Sequence, residues 1–459
     1  FARELESGSD EDAAARDAAR EKARQFADQA MALLAVILIV FVGLFELIMP
    51  WAMVILAGGF DAVPGKMELA TDLSRIAFPY LMFISLVSLQ SGVLNSIGKF
   101  AAAAAAPVLL NLTLIAALLG FADHMETPGH ALAWGVFWAG VVQFAWLAWH
   151  CRAHGFPLRL VRPRWTEKVA LLVKRILPVV FGASLYQVNL LIGTILATYV
   201  SDGAVSYLYY ADRVTQLPLG VVGVAVGTAL LPLLARQLKA GEDAAALNSQ
   251  NRGMEFALLL TLPAAAACLI IPEDIIRVLF ERGAFGAEAT AATASALFAY
   301  ATGLPAYVLI RVLAPGFYAR EDTTTPVRIA IAAMVVNIAL MIVLMKSMGH
   351  VGIALAASAS AWLNTILLAV VLAQRGHFAL DARLRGRLPR ILLATAGMVG
   401  VLEIARQNLQ FMLNAGTAEQ VLGLAVLVGL GFAAYLAFAV VLRAAGLQDA
   451  KSMLKARDL

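Results

Sequence analysis

Runs of about twenty predominantly apolar residues, the length that carries a helix across ~30 Å of hydrocarbon, recur along almost the whole of this 459-residue sequence. Twelve can be marked, at 30–56, 76–97, 103–121, 131–149, 176–200, 204–235, 254–271, 291–318, 327–345, 352–372, 391–405 and 421–442. Inside a bilayer every backbone N–H and C=O must be satisfied by the segment itself or by a closed barrel. Runs this long therefore read as helices, and the chain as an all-α polytopic membrane protein. Composition agrees: 61% of residues are hydrophobic and 14% charged, against roughly 45–50% and about 25% in soluble domains. A soluble fold of this make-up would aggregate. With only Cys151 and Cys268 available, no disulfide framework can be built.

Lysine and arginine concentrate in cytoplasmic loops, and here they alternate. Counting from the N-terminus, every second polar segment, together with both ends, holds 27 of the 35 basic residues; the opposite set holds six, and Arg213 and Arg311 lie inside runs. Both ends are therefore expected in the cytoplasm, and an even number of spans follows. The net charge of +4 calls for no nucleic-acid partner. Residues 1–29 read as a solvated, alanine-rich helical lead-in. Residues 165–173 read equally well as an amphipathic helix on the membrane surface or as a plain linker.

Ionisable groups at mid-membrane cost about 2.5–3.5 kcal/mol on insertion scales and normally mark a pathway. Asp212 and Arg213 sit in YLYYADRVTQLPLG, and Arg311 in AYVLIRVLAPGFY. Both arginines stay charged, and a guanidinium fork suits a phosphate or diphosphate, so an anionic substrate is the functional reading. Its alternatives are an Arg213 neutralised by Asp212 and an Arg311 that reaches a membrane interface. Gln187 and Asn189, in SLYQVNLLIGT, are candidates for bonding a polar head group or, equally, for interhelical contacts. Glu46, Glu255 and Glu403 lie near run ends and read as structural or interfacial. Pro218 and Pro232 interrupt one long run, and Gly223 and Gly227 form a GxxxG spacing that reads as close helix packing.

An internal repeat is also visible: 91–115 pairs with 313–341, setting Gly92 against Gly316, Pro107 against Pro326 and Asn111 against Asn337, each stretch followed by a Gly-His pair and a small-residue run. Repeated bundles in transporters flank a substrate path. Nothing supports ATP hydrolysis or zinc catalysis: a phosphate-binding loop, HExxH and CxxC are all missing from the sequence. His150, Cys151 and His154 supply ligand-like types without a fourth partner. No metal site, no cofactor and no enzyme activity are expected.

The stretches AGGFDAVPGKMELATDLSRIAFPYLMFISLVSLQSGVLNSIGKF, YYADRVTQLPLGVVGVAVGTALLPLLAR, LFERGAF and RVLAPGFYAREDTTTPVRIA resemble the signature stretches of the MurJ/MviN family of the MOP exporter superfamily. The resemblance implies a MOP-type two-lobe bundle around a central cavity, with twelve of an expected fourteen spans visible. Its parts are an N-lobe at 1–152 lacking its first two helices, a six-helix C-lobe at 153–375, and two C-terminal helices at 376–459 forming a lipid-tail groove. Because the sequence opens at Phe1, a truncated or processed N-terminus is expected. The implied activity is flipping lipid II, the undecaprenyl-diphosphate-linked disaccharide-pentapeptide, from the cytoplasmic to the periplasmic leaflet of the cell inner membrane, with cavity arginines gripping the diphosphate. Arg213 matches a cavity arginine of the family and Arg311 a basic position, whereas Gly193 stands where sodium-binding members carry an acid. Implied partners are lipid II, membrane lipid and cell-wall synthesis proteins; drive by the membrane potential is a separate expectation, from the energy of moving charge through it. The rival readings are a cation-coupled multidrug exporter and a non-transporting cell-wall scaffold.

Overall fold

The computed structural model describes residues 13–159, 161–164 and 167–444. Their regular elements are all helices: α1 Ala13–Leu56, α2 Lys66–Ala77, α3 Tyr80–Ser96, α4 Phe100–Phe121, α5 Pro128–Ala153, α6 Glu167–Thr198, α7 Ala204–Lys239, α8 Asp243–Ile270, α9 Pro272–Phe280, α10 Ala287–Ala301, α11 Leu304–Tyr318, α12 Thr324–Gln374, α13 Ala382–Leu413 and α14 Thr417–Val441, with two short 3₁₀ turns. Among the described residues, nine helical segments are long and apolar enough to cross a membrane.

The apolar runs and the helices do not correspond one to one. The run at 76–97 is divided at Phe78-Pro79 between α2 and α3, and that at 291–318 is divided before Leu304 between α10 and α11. Conversely, the runs at 327–345 and 352–372 are joined in α12, whose 51 residues would reach about 75 Å if straight, at 1.5 Å per residue. Gly349 breaks it, at φ 58° and ψ −136°, a conformation open to glycine and strained for other residues. The segment from Glu167 to Val173 continues directly into α6 instead of forming a separate surface helix; Trp165 and Thr166 lie outside the described residues. The N-terminal lead-in likewise runs unbroken into the first span as α1, with residues 1–12 outside the described part.

The chain forms two compact units, Phe1–Ser184 and Leu185–Leu459, with the boundary inside α6. In the first, α3 and α4 pack on α5 through small residues. A Cβ at Gly140 would sit 2.9 Å from both Phe83 and Tyr80, which is how membrane helices gain close contact. Gln143 donates to the Ala106 carbonyl at 2.7 Å and Trp146 to that of Ala102 at 3.2 Å. Asp28 and Gln29 of α1 accept from the backbone N–H groups of Arg159 and Arg164. His150, Cys151 and His154 do not converge: the Cys151 thiol is buried towards the Gln90 carbonyl, while His154 turns back on the carbonyl of His150.

In the second unit, α13 and α14 are tied to α8 and α9 at three levels. At one end, Arg252 of α8 and Arg383 and Arg387 of α13 all reach the buried Glu255 carboxylate, and Arg252 also grips Asp381. Midway, Tyr435 of α14 donates its hydroxyl to the Leu259 carbonyl at 2.6 Å. That carbonyl is the one Pro263, four residues on, cannot serve. At the far end, Arg406 reaches the buried Asp274 at 2.6 Å. Beyond the end of α11, hydrogen bonds from Thr325 and from Arg375 hold the Asp322 carboxyl well below the usual carboxylate range, joining both ends of α12.

The residues paired in the sequence repeat occupy unlike settings. Asn337 is buried and Asn111 exposed; Pro107 sits inside α4, whereas Pro326 is in the first turn of α12.

Glu255→Ala leaves three arginines around an empty position, and breaking a buried pair in this way costs roughly 3–5 kcal/mol. A marked fall in thermal unfolding temperature in detergent is expected. Gly349→Ala forces a side chain into the strained geometry and towards Val200, 3.3 Å away, and is expected to cost about 1–3 kcal/mol by the same measurement.

Candidate functional site

Helix α7 follows Gly203, which takes the left-handed conformation at φ 82° and turns the chain into the helix. Tyr209, Arg213, Leu217 and Gly220, spaced by three and four residues, form one exposed stripe along it. The Arg213 guanidinium lies over the Tyr209 ring, 4.7 Å from its centroid, and donates to Gln216 Oε1 at 3.3 Å. Gln216 in turn donates its amide to the half-buried Asp212 carboxylate. Adjacent residues diverge on a helix, so Gln216 bridges the acid and the base, and the guanidinium is steered towards the exposed stripe. The arginine is held by a flat aromatic face and a neutral amide, with the Asp212 carboxylate one residue away on the same helix.

Arg311, on α11, crosses to the same helix. Its Nη1 donates to the Leu219 carbonyl at 3.2 Å. A Cβ at Gly223 would fall 1.8 Å from that nitrogen, so the glycine makes room for the guanidinium. Close approach is thus required at Gly223, but a side chain from α11 uses the space. The exposed Arg311 head is bonded to the α7 backbone. Arg213 and Arg311 therefore both meet α7, at positions ten residues apart, measured from Tyr209 to Leu219.

Gln187 and Asn189, on α6, are not brought to these arginines by any hydrogen bond among the described residues. Asn189 Oδ1 accepts from Asn337 of α12 at 2.8 Å, an interhelical contact, while Gln187 is exposed. A Cβ at Gly193 would face the Met341 methyl at 3.4 Å and Ile353 at 4.0 Å. Tyr209 and Gln216 were not picked out in the sequence. Their signal was present as i−4 and i+3 neighbours of Arg213, positions that meet on a helix face.

Among the described residues, the chain is a many-helix membrane protein with two guanidinium groups held against α7. The fold is similar to a solved structure titled "Lipid II flippase MurJ, inward closed conformation", with a TM-score of 0.75 and 22% identity, over 92% of this chain and 85% of that one. It is also similar to an inward-facing MATE family multidrug resistance transporter of the MOP superfamily, with a TM-score of 0.65 and 17% identity, over 78% of this chain and 83% of that one. The family model described as "Lipid II flippase MurJ" matches residues 13–422. Among relatives, a probable lipid II flippase MurJ of Rhizobium tropici is 42% identical, covering 91% of this chain and 80% of its own length. One of Vibrio cholerae is 38% identical, covering 85% and 74%. The chain belongs to the MurJ family.

Asn189→Ala leaves the buried Asn337 amide without its partner. A loss of about 1 kcal/mol, within the range of interhelical polar contacts in membranes, is expected in detergent unfolding.

Proposed function

We propose that this chain flips lipid II from the cytoplasmic to the periplasmic leaflet of the cell inner membrane, as a transporter and not an enzyme. The observation that carries the reading is Arg213, a permanent cation within an apolar run of the sequence, braced by Tyr209 and Gln216 and exposed along α7. A hydrogen-bonded guanidinium with donors to spare suits a lipid-linked diphosphate. Family membership supports lipid II as that substrate. Arg311 of α11 supplies a second cation against the same helix, the exposed Gln187 is a candidate for the sugar or peptide head group, and Asn189 sets the α6–α12 spacing beside it. The alternation of basic loops supports cytoplasmic positions for both ends. The residues before 153, those from 153 to 375 and the final pair act as two lobes and a lipid-tail groove, and proteins of cell-wall synthesis are the natural partners for the delivered product.

Membrane potential supplies the drive in this reading. Each negative charge carried outward across an inside-negative membrane gains about 2.3 kcal/mol per 100 mV, so collapsing the potential slows flipping.

The test is lipid II translocation in depleted cells or vesicles by the full-length gene product, wild type against Arg213→Ala and Arg213→Lys. Arg213→Ala is expected to lower the rate more than tenfold with normal membrane insertion, and Arg213→Lys to restore part of it, because charge is kept and the fork lost. Wild-type flipping by Arg213→Ala would reject the assignment.

A further inference from the structure

We propose that α2 is a hinged lid at the outer end of the first unit, pivoting at Phe78-Pro79 and held shut by a clasp between His130 of α5 and Asp72. Its place on the outer side rests on the alternation of basic loops, and its role as the head group's exit rests on the flippase reading above. The hinge and the clasp rest on neither.

The clasp belongs to the first of the two Gly-His pairs of the sequence repeat. His130 Nε2 meets Asp72 Oδ2 at 3.3 Å and Glu126 Oε2 at 3.9 Å, while Nδ1 meets the Thr127 hydroxyl at 2.9 Å. Thr127 thus sets the ring, and the ring is aimed at α2. Asp72 is exposed on its far side, so the contact is of the weak, breakable kind that a clasp requires. Beside it, a Cβ at Gly129 would stand 3.1 Å from Leu73; the glycine lets Leu73 close against the first turn of α5. In the second unit His350 makes the corresponding reach, to the Ala292 carbonyl of α10 at 2.9 Å, and both contacts span 58 residues of sequence.

The two half-spans differ in what else holds them. α10 buries seven of its residues and receives a second bond, from Ser358 to the Ala299 carbonyl at 2.7 Å. α2 buries none of its twelve, and Lys66, Glu68, Asp72 and Arg75 among them are charged. A segment with few buried contacts opens at low cost. Met67 and Ala70 of α2 rest on Met49, Met53 and Ala57, a bed of thioether side chains that repack easily. At the other end, Pro79 has no N–H to offer the Arg75 carbonyl, so the helical ladder stops there. Phe78 stacks on Phe41 and Phe45 of α1, with centroids 6.1 and 5.2 Å away, which keeps the pivot in place while the rest of α2 turns. With a fixed pivot and an adaptable bed, the polar contact to α5 decides whether the lid is shut. His130 is a positioning residue for α2.

The experiment uses the full-length gene product in vesicles, with a cysteine in place of Ala57, which is buried against α2. The native Cys151 and Cys268 are buried, and their background is measured in the protein without the added cysteine. Reaction with a small water-soluble methanethiosulfonate is expected to be slow, and to become about tenfold faster after His130→Ala or Asp72→Ala as the closed lid loses its tie. His130→Gln, whose amide nitrogen can donate in place of Nε2, should keep the reaction slow. In the second unit, a cysteine in place of the buried Ala354 of α12 should react slowly with or without His350→Ala. Unchanged labelling at 57 after His130→Ala would overturn the proposal. So would an equal rise with His130→Gln, which would mark lost packing and not a lost bond, or a matching rise at 354 after His350→Ala, which would mean general loosening. Cysteines replacing both His130 and Asp72, joined by a bis-methanethiosulfonate, should stop lipid II translocation until reduced; translocation untouched by that bridge would overturn the exit role. Clasp-dependent labelling in a protein that does not translocate lipid II would uphold the lid while rejecting the flippase reading.

Discussion

An arginine inside a membrane bundle cannot discharge, and everything around it must either neutralise the charge or aim it. Here the surroundings aim it. Arg213 rests on an aromatic face and a carboxamide, and its neighbouring acid is engaged by the same carboxamide. Arg311 rests on a peptide carbonyl through a gap that only glycine leaves open. A partner carboxylate in direct contact would have made either group a structural ion pair. Neutral partners make the direct contacts to both guanidinium groups and leave them N–H donors for a ligand, which is the physical basis for reading α7 as part of a path for an anion.

A helix with that duty needs a firm scaffold, and the second unit provides one through polar ties in an apolar medium. Lipid gives no hydrophobic reward for helix association, so packing and polar contacts carry it. The Glu255 cluster, the Tyr435 hydroxyl on Leu259 and the Arg406–Asp274 pair fasten α13 and α14 to α8 and α9 at both ends and the middle. The middle tie uses a carbonyl freed by Pro263, so the proline that weakens α8 also creates the acceptor that docks α14. Charged clusters occur elsewhere in this unit too, with arginines bonded directly to carboxylates, whereas Arg213 and Arg311 bond a carboxamide and a carbonyl.

Much of this could be read in the chain and some could not. Run length and the alternation of basic loops disclosed a polytopic helical protein, and the cost of burying charge disclosed Arg213 and Arg311. Helix boundaries were harder: nothing in hydropathy separates α10 from α11 at Gly303, nor marks Gly349 as the break inside α12, because both sides of each are equally apolar. Glu255 was legible as structural, but its three arginine partners lie on two helices more than a hundred residues apart in sequence. The Asn189–Asn337 contact spans 148 residues and leaves no local trace. The sequence repeat matched Asn111 to Asn337, although one is exposed and the other buried, since likeness along the chain does not dictate which face of a helix meets its neighbours.

The central claim is that the exposed stripe of α7 faces the travelling lipid, and site-directed photocrosslinking tests it most directly. A photoreactive residue in place of Leu217, one turn beyond Arg213 on the stripe, would be compared with one in place of the buried Val214, each in vesicles containing lipid II. The account predicts a lipid II adduct at 217 that is competed by unlabelled lipid II, and little or none at 214. Equal labelling at both positions, or an adduct at 217 that competitor does not reduce, would contradict it.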